Sequence, residues 1–122
     1  ALGDLHAAMG DGEVSGAGVE IAGQVTLELA VRKDLSLAGP VVATAEGLAA
    51  IASAPTLDDA ANQAVRELAE LLFPRLELSW QDLACLFSVA GNLQICQVVD
   101  PLKTARFLLP WSALAPYGMT AL

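Results

Sequence analysis

From Val19 to Arg32 the sequence reads VEIAGQVTLELAVR, and its odd positions, Val19, Ile21, Gly23, Val25, Leu27, Leu29 and Val31, are apolar or glycine. The even positions hold Glu20, Gln24, Thr26, Glu28 and Arg32, with Ala22 and Ala30 among them. Successive side chains of an extended chain point to opposite faces. The alternation therefore predicts a β-strand with one buried and one more polar face. Gly23 marks a bulge or a bend in it.

Beyond this segment the period changes. Lys33 to Gly39 reads as a turn, and Val41–Thr44 and Leu48–Ser53 as short strands. Thr56 then suits a helix cap, with Asp59 where a capping acid stands. Leu57, Ala60, Ala61, Ala64, Val65, Leu68, Leu71 and Leu72 fall on one face of that helix, and Pro74 is expected to end it. Ser79 caps a second helix, with Asp82 three residues on; Leu83, Leu86, Phe87 and Ala90 form its buried stripe, and Gly91 suits a left-handed position after its end. Leu93–Val99 reads as a buried strand, Asp100-Pro101 as a turn and Ala105–Leu109 as a further strand, with Pro110 and Pro116 breaking the tail. The expected class is α+β, a mixed or antiparallel β-sheet packed against two α-helices. The whole chain, 1–122, reads as one domain: 1–18 a site loop, 19–55 strands, 56–91 two helices, and 92–122 strands and tail.

Composition narrows the function classes. Six Lys and Arg against fourteen Asp and Glu leave a net charge of −8, so no basic stripe exists to displace counterions from nucleic-acid phosphates. At 55% apolar and 16% charged, the chain is expected to fold. The longest weakly charged stretch, Pro40 to Pro55, has 16 residues and contains Glu46, short of the ~20 apolar residues a membrane span needs. No signal peptide is visible, and the two cysteines, Cys85 and Cys96, read as buried thiols in a reducing cytoplasm. Gly10, Gly12, Gly16 and Gly18 match no phosphate-binding spacing.

Chemistry concentrates near the start. Asp4, His6, Asp11 and Glu13 are spaced two, five and two residues apart among several glycines. Residues i and i+2 of an extended segment share a face, so Asp4 with His6, and Asp11 with Glu13 after a glycine-permitted turn, can face one site. Imidazole nitrogen and carboxylate oxygens suit a divalent metal, zinc foremost, with calcium second. A leftover carboxylate can move a proton. The competing reading is an Asp/Gly turn whose histidine bonds a backbone carbonyl. Glu20 is a second candidate proton carrier, or else a solvated strand acid. Asp100, Lys103 and Arg106 follow a strand and read either as residues supporting the site or as surface charges.

The stretch GDLHAAMGDGE, followed by VSGAGVE, resembles the signature of the acetamidase/formamidase family. The matching positions are Gly3, Asp4, His6, Ala7, Gly10, Asp11, Gly12, Glu13 and Glu20. The run Ile95-Cys96-Gln97-Val98-Val99-Asp100-Pro101, with Lys103, Thr104, Ala105 and Arg106, resembles the family's downstream segment, and a Tyr-Gly near the end falls in the expected order. The resemblance implies a metal-dependent amidohydrolase that converts short linear amides such as formamide and acetamide to carboxylate and ammonia. It implies His6 and Asp4 as metal ligands, Glu13 as a ligand or general base, Glu20 as a supporting acid, and Asp11 among the catalytic residues. It also implies that the chain corresponds to the C-terminal portion of a larger β-rich amidase fold, so that a homo-oligomer or a partner chain supplying the N-terminal half is expected. The alternative is a non-catalytic assembly or binding module, or a fragment inactive without that half.

Overall fold

The computed structural model describes residues 13–16, 22–24 and 26–122. A short strand β1 (Val41–Ala43) turns into β2 (Gly47–Ala54); helices α1 (Leu57–Leu76) and α2 (Trp80–Ala90) follow; then come β3 (Asn92–Gln97), β4 (Lys103–Pro110), a one-turn helix α3 (Trp111–Leu114) and a 3-10 turn (Ala115–Tyr117). The strands form one antiparallel sheet in the order β1-β2-β4-β3. This is the α+β class the sequence pattern implies, with a third, short helix in addition to the two expected.

Both long helices begin where their caps stand. The Asp59 amide donates to Thr56 Oγ1 and the Asp82 amide to Ser79 Oγ, each at 3.1 Å, and each hydroxyl in turn donates to the acid's carboxylate at 2.7 Å. One of the four unsatisfied N–H groups at each helix start is thereby paired. Along α1, Ala60, Ala64, Leu68, Leu71, Leu72 and Leu76 are buried. They lie over β2 and β4, where Leu48, Ala50, Ala52, Phe107 and Leu109 face them. From α2, Phe87 reaches the same core and meets Phe107 with ring centroids 5.0 Å apart. α3 locks the β1–β2 hairpin, with the Trp111 indole donating to the Thr44 carbonyl at 2.8 Å.

Several expectations are corrected. Pro74 lies inside α1, which runs on to Leu76. Proline removes one N–H from the helical ladder, but Leu76 is buried in the core and Arg75 Nη1 donates to the Leu71 carbonyl at 2.5 Å, which hold the last turn. Gly91 is extended, at φ −73° and ψ 148°, not left-handed. A side chain there would run into the Phe107 ring and the Phe87 carbonyl, and this close approach is what requires glycine. β3 is not a buried strand. It forms the sheet's edge, and Leu93 and Ile95 are 53% and 54% exposed because α1 covers β2 and β4 instead. Cys85 is exposed rather than buried, and no disulfide joins it to Cys96.

The alternating segment differs most from its reading. Its described residues, 22–24 and 26–32, carry no strand and are all exposed. The segment is secured at its end, where Arg32 Nη1 donates to the Leu122 carbonyl at 3.3 Å and its Nη2 pairs with Asp34 at 2.7 Å. That hydrogen bond holds the Asp34 carboxyl at about 2, below the usual carboxylate range. Among the described residues no helix is long and apolar enough to cross a membrane.

Candidate functional site

Glu13 is the member of the proposed acidic cluster that the structure describes; Asp4, His6, Asp11 and Glu20 lie outside the described residues. Glu13 docks on the outer edge of β3. Its amide donates to the Cys96 carbonyl at 3.2 Å and its carbonyl accepts from the Val98 amide at 3.0 Å, a parallel bridge that puts Glu13 in register with Gln97. Edge strands carry unpaired backbone groups, and these two bonds use some of them. Glu13 is half-buried there.

Gln97 organises what surrounds that bridge. Its Nε2 donates to the Leu102 carbonyl at 2.6 Å and to Thr104 Oγ1 at 2.9 Å, while its Oε1 accepts from the Val99 and Asp100 amides, each at 3.0 Å. One amide side chain thus satisfies both sides of the 98–102 turn. Lys103 Nζ closes the same turn by donating to the Asp100 carbonyl at 2.6 Å. Lys103 therefore grips backbone here. The bulge between Ile95 and Gln97 brings Gln97 opposite Thr104. Thr104 continues the chain of hydroxyls to Ser53 Oγ, 2.8 Å away on β2.

Thr104 and Arg106 alternate with the core residues Ala105 and Phe107 along β4. They therefore face away from α1. Arg106 Nε donates to Gln94 Oε1 across the strand pair. The result is a polar ladder, Gln97–Thr104–Ser53 and then Gln94–Arg106, on the sheet face opposite the helices, with Glu13 entering at its β3 edge. Asp100 and Lys103 meet in the 98–102 turn, Glu13 bridges the strand edge just before it, and Arg106 lies one step along the same face. Sequence reasoning missed Gln97, whose four hydrogen bonds organise the cluster. The only local signal was a polar residue inside an apolar run.

Among the described residues no group of three or more His, Cys, Asp or Glu side chains stands close enough to hold a metal ion. A cavity of about 210 Å³ beside α1, lined in part by Leu37, Gly39, Val41, Glu67 and Leu71, includes none of the candidate residues.

No protein-family model and no curated protein matches the chain. Solved structures do. A predicted acetamidase/formamidase from the thermophile Thermoanaerobacter tengcongensis is 53% identical, with a TM-score of 0.69, covering 74% of this chain and 30% of its own. An acetamidase from Bacillus halodurans is 41% identical at a TM-score of 0.64, covering 68% of this chain and 28% of its own. An acetamidase from Yersinia enterocolitica is 30% identical at a TM-score of 0.64, with 67% and 25% coverage. The chain thus spans less than a third of each of these three relatives.

Proposed function

We propose, from this chain's correspondence to a portion of the acetamidase/formamidase fold, that it carries the acidic, histidine-containing segment of an amidohydrolase acting on short linear amides such as formamide and acetamide. The 53% identity to the Thermoanaerobacter tengcongensis structure is the observation that supports this reading most strongly. The reaction adds water oxygen to the amide carbonyl carbon and breaks the C–N bond, giving a carboxylate and ammonia. Two carboxylate tasks follow: one group removes a proton from water, and one delivers a proton to the departing nitrogen. Glu13, held by two backbone bonds at the β3 edge, is the assigned base. Asp11 and Glu20 are assigned to the second proton transfer. Asp100, Lys103 and Arg106 support the cluster.

The donor chemistry of one imidazole and neighbouring carboxylates fits a divalent ion, and His6 and Asp4 would hold it. Zinc is the first choice and calcium the second. When bound, the ion supplies Lewis acidity to the amide carbonyl and lowers the pKa of water. We place the chain in a homo-oligomer, or beside a partner chain that supplies the N-terminal half of the fold. With two cysteines in the chain and no disulfide framework, we place the reaction in the cytoplasm.

Ammonia release from formamide and acetamide by the assembled protein tests this. Chelation and His6→Ala should each abolish turnover, and Glu13→Gln should lower it by about 10²–10⁴-fold. Undiminished turnover after both chelation and His6→Ala would refute the assignment and favour a non-catalytic assembly module.

A further inference from the structure

Beyond Gln97 the β3–β4 ladder stops, since Gln97↔Thr104 is its last pair on β3. Glu13 nevertheless takes one of its two backbone bonds from the residue after that end. Its carbonyl accepts from the Val98 amide, while its own amide donates to the Cys96 carbonyl. The two groups that hold Glu13 therefore flank Gln97, and one of them lies past the sheet's own pairing. The Gln97 side chain fixes the chain on the far side of Val98. Its Oε1 draws in the amides of Val99 and Asp100, and its Nε2 ties them to β4 through Thr104 Oγ1 and to the Leu102 carbonyl. Register matters because partners in a bridge share a face of the sheet. Pairing with Gln97, whose side chain bonds Thr104, puts the Glu13 side chain on the polar face. A slip of one residue would turn it to the other face.

We propose that Gln97 is the positioning residue for Glu13: its carboxamide holds the end of β3 in the shape that docks Glu13 in register. The inference rests on the proposed function in taking Glu13 as the base. Gln97 acts through the backbone of residues 96–98 and not on the substrate. A base misplaced by ~1 Å can cost on the order of 10²-fold in rate. Loss of the carboxamide should therefore lower turnover and spare substrate binding.

Amide exchange on the chain tests the docking. Gln97→Leu should speed exchange at Glu13 and Val98 by about tenfold or more, with Leu68 and Leu72 on α1 unchanged. Gln97→Asn keeps the carboxamide but draws it back by a methylene. It should do the same, and it serves where the leucine variant folds poorly. Thr104→Val removes one Nε2 partner and leaves the Oε1 bonds, so Glu13 exchange should stay within about threefold. Slow exchange at Glu13 in both Gln97 variants overturns the inference, as does equal loosening by Thr104→Val. In the assembled protein, Gln97→Leu should lower kcat for formamide by about tenfold or more, with KM within about twofold. In a Glu13→Gln background the same change should cost nothing further, because no base remains to misplace; losses that multiply would overturn the inference. If the unaltered assembly releases no ammonia, the amidase reading fails, while the exchange result still decides whether Gln97 docks Glu13.

Discussion

Gly91 has room for a hydrogen atom and little else. A methyl group there meets the Phe107 ring and the carbonyl of Phe87, which itself accepts the Gly91 amide at 2.9 Å. Gly91→Ala should therefore destabilise the protein by about 1–3 kcal/mol, as overpacking of a filled core does, read as a lower urea midpoint at unchanged slope. The position shows what single residues disclose in sequence. A glycine after a helical stripe announces that something there is sterically special. Whether the cause is a left-handed backbone or an aromatic neighbour sixteen residues on is set by packing. Thr56 and Ser79 were legible for the opposite reason, because each cap bonds an amide three residues away and needs no tertiary partner.

The 98–102 turn depends on one side chain. Gln97 supplies its four bonds, so Gln97→Leu should accelerate amide exchange at Val99 and Asp100 at least tenfold while leaving α1 protected, measurable residue by residue by NMR. Element identity was readable wherever the period reported contacts made within the chain: α1 and α2 from their stripes, β2 and β4 from their apolar runs. It failed over 22–24 and 26–32 because a period of two states how a segment can pair and not whether it finds a partner. It failed differently at β3. The apolar run LQICQVV suggested burial, but edge or centre is decided by the order of strands in the sheet, which no local window contains. The candidate site was legible as a motif. Of it, the described residues hold Glu13 with Asp100, Lys103 and Arg106, and Gln97 escaped notice because a glutamine in sequence looks like ordinary surface.

One helix, α1, covers the two central strands of the sheet. Leu72 on α1 is fully buried in a core that joins β2, β4, α2 and α3. Leu72→Ala should cost about 2–5 kcal/mol. Since domains of this kind hold about 5–15 kcal/mol in total, thermal denaturation of the variant should fall well below that of the unaltered chain. Among the described residues, Leu93, Ile95, Leu27, Leu29 and Val31 leave apolar surface exposed. Five alanines stand among the side chains where helix meets sheet: Ala50, Ala52 and Ala54 on β2, Ala60 and Ala64 on α1. Only glycine is smaller than alanine, so neither side of that seam can shrink to accommodate growth on the other. Drift at these five positions is one-directional: a larger side chain at any of them pushes helix and strands apart.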